Sequence, residues 1–181
     1  MEFKKPNHIE IIKSKKSNFV NTFLEKMRIE RTSASNLAHV DFENLTFGSV
    51  FTDHMFVCKY KNEKWQEPEV IPYQPLSFEP SMSVLHYGQS VFEGMKAYKD
   101  DDDKVWLFRP DQNFKRINRS SERLQIPVFP ENYFFEGLKT LLNLDKDWIK
   151  PGIGNSLYVR PFVFSSQACV QASPSKEYTF I

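Results

Sequence analysis

The sequence predicts one α+β domain, built from an antiparallel sheet with two or three helices. Segments with the alternating apolar pattern of strands lie on both sides of two segments with helical spacing. Aromatic residues make up 15% of the chain and 17 of them are Phe, which favours strand-rich packing. A chain of 181 residues without repeats or a low-complexity linker is long enough for a single core.

Charge and cysteine content exclude several classes of function. The 24 basic and 23 acidic residues leave a net charge of +1, so no overall field favours nucleic acid or a membrane surface as a partner. The two cysteines, Cys58 and Cys169, are too few for a disulfide framework or a structural zinc site. No apolar run approaches the roughly 18 residues of a membrane span. The lysine-rich start contains Glu2, Glu10 and Glu25 and is a poor organelle signal, so we expect a cytoplasmic protein.

Residues 1–26 are lysine-rich and weakly patterned, and we expect them to form an N-terminal extension without a fixed fold. Residues 27–181 then form the domain, with Met27 opening a strand-like stretch and offering an alternative start. At the other end, the pattern of Glu177–Ile181 predicts a strand, and the sequence stops within its apolar residues. We therefore expect this domain to be the front part of a longer protein.

The pattern of the first half of the domain predicts mainly strands. His54–Tyr60 alternates, Asn62–Glu63 predicts a turn, and Trp65 begins the return strand of a hairpin. Prolines 72, 75 and 80 then predict an extended connection. A helix is predicted from Ser83 to a stop at Gly94, followed by a strand; its inner face would carry Val84, Tyr87, Val91 and Met95.

The second half carries the two clear helices. Pro110 suits a first helical position, Pro127 and Pro130 end that helix, and Glu131–Leu144 predicts the next. The first helix has an apolar stripe, formed by Phe114, Ile117, Ser121 and Leu124. It also has a basic stripe, formed by Arg116, Arg119 and Arg123. The four aspartates before Lys104 favour a solvated hairpin turn over a cation site, because adjacent carboxylates point apart. A strand is predicted over Ser156–Phe164.

Three features could carry chemistry. The basic stripe could hold a phosphate or carboxylate, because a guanidinium matches those anions bidentately; the alternative is a solvated helix face. Tyr158 and Arg160 lie two residues apart in a predicted strand and therefore share one of its faces. They could form a site for a carboxylate or an exposed pair at a strand edge. Tyr87 is either a core tyrosine or a site residue. We find no nucleophile elbow, glycine-rich phosphate loop or zinc motif, so self-contained catalysis is not expected.

Four segments, in order, resemble the N-terminal half of branched-chain amino-acid aminotransferases, pyridoxal-phosphate enzymes of the fold shared with D-amino-acid aminotransferase. The similarity covers the chain from about Met27 onward, and its motifs are Phe47–Met55, Leu85–Tyr98, Leu107–Leu124 and Ser156–Pro161. The resemblance implies the small α+β domain of an enzyme that moves the amino group of leucine, isoleucine or valine to 2-oxoglutarate. It also implies a homodimer with small-molecule substrates and neither nucleic acid nor membrane as a partner.

The resemblance also assigns residues. Arg116 stands where the family binds the phosphate of pyridoxal 5'-phosphate. Tyr158 and Arg160 match a pair at the substrate end, the arginine being linked to the second carboxylate of glutamate. The remaining substrate-binding matches are Phe47, Tyr87 and Phe92 for the substrate side chain, and Val170 and Ala172 in a loop that reaches the partner subunit. In that loop Gln171–Ala172 departs from the usual Gly-Val pattern.

No catalytic residue is expected within these 181 residues. The family's lysine forms a Schiff base with the cofactor and moves the proton, and it lies in a Lys…Asn-Tyr motif absent from this sequence. The isolated chain is therefore expected to be inactive. Two alternatives remain: another enzyme of the same fold, such as D-amino-acid aminotransferase or aminodeoxychorismate lyase, and a non-catalytic dimerisation or regulatory module. The apolar residues Phe47 and Phe92 beside Tyr87 favour a branched-chain amino acid as the substrate over these alternatives.

Overall fold

The computed structural model describes residues 8–10, by their backbone only, and residues 27–181. The α+β prediction is confirmed, and the strands form two sheets rather than one. The strands within the described residues are β1 His8–Glu10, β2 Arg28–Ile29, β3 His54–Lys61, β4 Lys64–Trp65, β5 Glu69–Pro72, β6 Ser90–Phe92, β7 Met95–Lys99, β8 Val105–Phe108, β9 Leu157–Val159, β10 Phe162–Ser165 and β11 Tyr178–Phe180. The α-helices among the described residues are α1 Ser83–Tyr87, α2 Pro110–Arg123 and α3 Glu131–Leu144.

The smaller sheet has the order β1-β8-β7-β9 and the larger one β2-β5-β3-β11-β10-β6, with β4 paired to β3. In the part of the chain that the structure describes, β2 and β5 pair in parallel and the other strand pairs are antiparallel. His8–Glu10, within the expected extension, pairs its backbone with β8. The rest of residues 1–26, to which the prediction of an unfolded extension applies, lies outside the described residues. Short 3-10 helices occupy Leu37–His39, Phe42–Asn44 and Lys146–Trp148.

The predicted hairpin turns form as expected from their residues. Asn62 and Glu63 both have positive φ, 53° and 59°, the backbone of the tight turn that matches the twist of antiparallel strands. In the β7–β8 turn, Asp100 accepts the backbone N–H of Asp102 and of Lys104 and the indole N–H of Trp106. The carboxylate at the start of the aspartate run therefore caps the turn. Within the described part of the chain, no cluster of acidic, His or Cys side chains could hold a metal.

The core lies where α2 and α3 pack against the sheets. Ile117 and Ser121 of α2 are buried, as are Phe134, Leu138 and Leu142 of α3. The rings of Phe129 and Phe180 stack with centroids 3.8 Å apart, and Phe56 meets both edge-on. The predicted inward position of Leu124 is wrong, because α2 ends at Arg123 and the Leu124 side chain is 42% exposed.

Two predicted boundaries are also wrong. The helix beginning at Ser83 ends at Tyr87, because Gly88 adopts the left-handed conformation (φ 66°) and its N–H caps Val84 O, a common glycine stop. Val91 and Met95 therefore lie on strands β6 and β7. The strand expected over Ser156–Phe164 is divided at Pro161, which has no N–H for a sheet ladder, into β9 and β10 in different sheets.

Among the described residues, none of the helices has both the length and the apolar character needed to cross a bilayer.

Candidate functional site

Two neighbouring crossover segments join the sheets, and three of the predicted site residues lie on or beside them: Phe92, Tyr158 and Arg160. Glu93 and Gly94, which follow Phe92 at the end of β6, connect the larger sheet to β7 of the smaller one. Arg160 and Pro161 connect β9 of the smaller sheet to β10 of the larger one. Because β6 pairs with β10 and β7 pairs with β9, the segments run side by side, and Glu93 N–H donates to Pro161 O (2.9 Å).

Four predicted residues make one continuous set of contacts, which we name the aromatic–arginine cluster: Phe47, Phe92, Tyr158 and Arg160. The Phe47 ring meets the Tyr158 ring edge-on, with centroids 5.1 Å apart. Arg160 Nη2 donates to Tyr158 Oη at 2.8 Å. The guanidinium carbon of Arg160 also lies 4.5 Å from the centre of the Phe92 ring, within the range of a cation–π contact.

Three members of the aromatic–arginine cluster are exposed, and Tyr158 is half-buried. Phe47 is 76% and Phe92 65% accessible, and Arg160 is exposed as well. Apolar rings left open around a charged group are typical of a binding surface rather than of a core. The sequence places Tyr158 and Arg160 on one face of a strand, and their hydrogen bond shows that the two side chains lie together. Arg160 itself lies just past the end of β9.

Gly94 lets the cluster approach the crossover. A Cβ atom at this position would lie 2.1 Å from Tyr158 Oη and 2.8 Å from its Cζ. Such distances are far inside van der Waals contact, so the Tyr158 ring occupies the space above Gly94 that any other residue would fill. A glycine at position 94 is therefore required by this close approach, although not by the helix stop that the sequence suggested.

Beside Gly94, Arg116 and Glu93 form a two-pronged ion pair. Arg116 Nε donates to Glu93 Oε1 and Nη2 donates to Oε2, both at 2.8 Å. Glu93 also accepts from Asn113 Nδ2 (2.9 Å) and from Gly94 N–H (3.3 Å). Burial alone would raise the pKa of Glu93, but the hydrogen bonds from Arg116, Asn113 and Gly94 outweigh it and hold the pKa below its usual value, so Glu93 is ionised.

Only part of the guanidinium of Arg116 is taken by Glu93. The side chain of Arg116 is 49% exposed, against 13% for Glu93. Among the described residues, Nη1 of Arg116 meets no hydrogen-bond acceptor, so donors remain for an external anion. Arg119 and Arg123, the other members of the basic stripe, are exposed on the same helix.

A search of curated proteins found relatives that match this part of the molecule. The chain is 48% identical over 158 residues to branched-chain-amino-acid aminotransferase 2 of Bacillus subtilis (strain 168), covering 87% of this chain and 43% of that protein. The chain is homologous to the N-terminal part of the branched-chain-amino-acid aminotransferases. It thus spans less than half the length of these relatives.

Further comparisons agree on the family and the fold. The similarity to branched-chain-amino-acid transaminase 1 of B. subtilis is 49% identity over 142 residues, covering 78% of this chain and 40% of that protein. The structure of the branched-chain aminotransferase from Thermoproteus uzoniensis with norvaline matches at a TM-score of 0.52 and 17% identity. That match covers 71% of this chain and 40% of the other and supports the fold alone. A scan against protein-family models found no match.

The other predicted substrate-binding residues lie outside the aromatic–arginine contacts. Tyr87 ends α1 with 45% of its surface exposed, and its ring neighbours that of His86. Val170 is 62% exposed and Ala172 is exposed, both in the loop between β10 and β11. Ser83 anchors the start of α1 to this loop through its Oγ, which donates to Gln167 O and Cys169 O.

The sequence of this branched-chain aminotransferase homologue predicted no site role for Glu93 or Asn113, and it predicted Gly94 only as a helix stop. A hint was available, since Glu93 is the acidic residue in an otherwise apolar segment and is followed by glycine. Its partners could not be found that way, because Asn113 and Arg116 lie 20 and 23 residues further along the chain.

Proposed function

We propose that this chain supplies the N-terminal wall of the active site in a branched-chain amino-acid aminotransferase. The whole protein would transfer the amino group of leucine, isoleucine or valine to 2-oxoglutarate. The observation that carries the proposal is the aromatic–arginine cluster: exposed rings for an apolar side chain lie in contact with a guanidinium for a carboxylate.

This arrangement suits both substrates of such a reaction. Phe47 and Phe92 offer apolar surface, and burying a branched aliphatic side chain contributes about 1.5–3 kcal/mol. Tyr87 would extend that surface. Arg160 would meet the second carboxylate of glutamate, which the branched-chain substrates lack, and the hydrogen bond to Tyr158 would fix its direction.

Arg116 would hold the phosphate of pyridoxal 5'-phosphate, since its exposed guanidinium keeps donors free while one edge is fixed. When bound, this cofactor supplies the electron-withdrawing ring needed for amino transfer. The lysine that anchors it and moves the proton is proposed to lie in the part of the protein that the relatives have and this sequence does not contain. The 181 residues alone would then be inactive.

We further propose a cytoplasmic homodimer, in which the loop holding Val170 and Ala172 contacts the site of the partner subunit. Residues 27–181 would be the small domain. The exposure of both side chains supports the loop assignment, and the Gln171–Ala172 departure from the family pattern affects that contact first.

The proposal is tested by assaying the full-length protein, with L-leucine, L-isoleucine, L-valine and D-alanine as amino donors and 2-oxoglutarate as acceptor. Transfer from the three branched substrates is expected. Transfer from D-alanine alone would favour the D-amino-acid aminotransferase reading, and no transfer with any donor would favour a non-catalytic module.

Arg116→Ala, with Arg119→Ala as its control on the same helix, tests the cofactor assignment. Titration of the apo-protein with pyridoxal phosphate should show weaker binding for Arg116→Ala and unchanged binding for Arg119→Ala. Equal affinity in both variants would refute the assignment of Arg116.

A further inference from the structure

We infer that Glu93 is a positioning residue that holds Arg116 ready for the cofactor phosphate. The inference rests on the proposed function, because it assumes that Arg116 is the phosphate ligand. It goes beyond that proposal by assigning a role to a carboxylate that would not itself touch the cofactor.

Glu93 is fixed from three sides before Arg116 is considered. Asn113 Nδ2 donates both to Glu93 Oε2 and to Gly94 O (2.9 and 3.0 Å), and the Asn113 side chain is itself buried. Gly94 N–H donates to the same carboxylate, and the backbone N–H of Glu93 is held by Pro161 O. The carboxylate is thus a rigid point at the crossover between the sheets.

Arg116, in contrast, has a long side chain that is half exposed. Such a side chain samples many rotamers and loses that freedom when it binds an anion. The two-pronged contact with Glu93 fixes the plane of the guanidinium in advance, because Nε and Nη2 lie on one edge of it. The donors on its other edge stay available to an oxyanion.

The rest of the basic stripe shows that this contact is selective. Among the described residues, Arg119 and Arg123 have no carboxylate within ion-pair distance, although they lie on the same helix face. Stability accounts for only part of the pair, since the Arg116 side chain is half exposed and its charge is screened by water. Asn113 already ties α2 to the crossover through Gly94 O, so the role left for the Glu93–Arg116 contact is orientation.

The cost of this arrangement is a negative charge near a bound phosphate. A carboxylate that contacted the phosphate directly would oppose binding, but Glu93 is covered by Arg116 and two further donors. Its charge is largely matched by these groups. We therefore expect the gain from orientation to exceed the repulsion.

The experiment measures binding of pyridoxal phosphate and of pyridoxal, which lacks the phosphate, to the full-length apo-protein. Glu93→Gln keeps the size of the side chain but places an amide N–H₂ against an arginine N–H. It should weaken pyridoxal phosphate binding roughly tenfold, the size seen when an orienting partner behind a ligand is removed at metal sites, and leave pyridoxal binding unchanged. Glu122→Gln, an equal charge change on the exposed face of α2, should change neither.

A double variant shows whether Glu93 acts through Arg116. In the Arg116→Ala background, Glu93→Gln should cause no further loss of pyridoxal phosphate affinity. Asn113→Ser, which removes the amide that holds Glu93 but keeps the ion pair, should weaken binding in the same direction by a smaller factor. This second variant keeps the test usable if Glu93→Gln folds poorly.

Different outcomes would refute the inference about Glu93 and the proposed function on which it rests. Unchanged affinity in Glu93→Gln, with a loss in Arg116→Ala, refutes positioning by Glu93 and leaves the phosphate assignment standing. An equal loss for pyridoxal and pyridoxal phosphate shows a general structural effect and also refutes it. Unchanged affinity in Arg116→Ala refutes both.

Discussion

His54 Nδ1 lies 2.6 Å from Asp145 Oδ1, and the backbone N–H of His54 donates to Oδ2 of the same carboxylate at 3.0 Å. The backbone N–H of Thr32 donates to His54 Nε2 (3.0 Å). Because Nε2 accepts, the ring proton of the neutral imidazole sits on Nδ1 and points to Asp145. Both side chains are buried, and they join the start of β3 to the residue that follows α3.

Asp145→Ala should destabilise the chain by about 3 kcal/mol, because it leaves two buried N–H donors of His54 without an acceptor. Urea unfolding followed by circular dichroism measures the change. Asp147→Ala, an exposed carboxylate two residues away, is the matched control and should stay within about 0.5 kcal/mol of the parent. Similar losses in the two variants would contradict the role given to the buried contact.

Gly137→Ala should also destabilise the chain, against the usual gain of about 1 kcal/mol for this change inside a helix. A Cβ at position 137 would lie 2.3 and 2.6 Å from two ring carbons of Phe56, where α3 packs on β3. Overpacking of this kind costs about 1–3 kcal/mol. Thermal unfolding measures the effect. In a Phe56→Leu background the penalty should shrink, and a penalty of equal size there would locate its cause elsewhere.

Gly94→Ala should impair substrate binding in the full-length protein more than it impairs folding. The new methyl group would displace Tyr158, whose Oη now lies where that group would be, and would break the hydrogen bond from Arg160. We expect a several-fold rise in KM for glutamate, consistent with the loss of about 1 kcal/mol when one hydrogen bond goes.

Steady-state kinetics and a melting curve of the same Gly94→Ala preparation separate the two effects. In a Tyr158→Ala background, Gly94→Ala should add little to KM, because the ring it displaces is gone. A full additional rise in KM there would show that Gly94 acts through some other contact.

Arg160→Ala should raise KM for glutamate at least about tenfold, the loss of a charge-assisted hydrogen bond to a carboxylate, and should change KM for leucine much less. The physical reason is that leucine has no second carboxylate. The comparison of both substrates with one enzyme preparation is its own control for folding. A uniform loss would instead indicate that Arg160 supports Phe92 and Tyr158 structurally.

The local features of this chain were predictable from its sequence. Helix α3 spans the predicted residues, Glu131–Leu144, and α2 begins at Pro110 as expected. The turn at Asn62–Glu63 forms between paired strands. These elements depend on residues a few positions apart, because proline and turn chemistry and helical periodicity act over such distances. The motifs that carry the family resemblance are equally local.

Tertiary structure decided how these elements meet. The sequence offered two glycines in the segment after Ser83, and only the fold shows that Gly88 ends the helix and that Gly94 admits Tyr158. No local sequence pattern predicted the long-range pairs. His54 contacts Asp145, from which it is separated by 91 positions in the sequence, and Arg116 of α2 contacts Glu93 at the crossover. Such contacts depend on which strands pair across the two sheets, a property of the whole packed chain that no local pattern encodes.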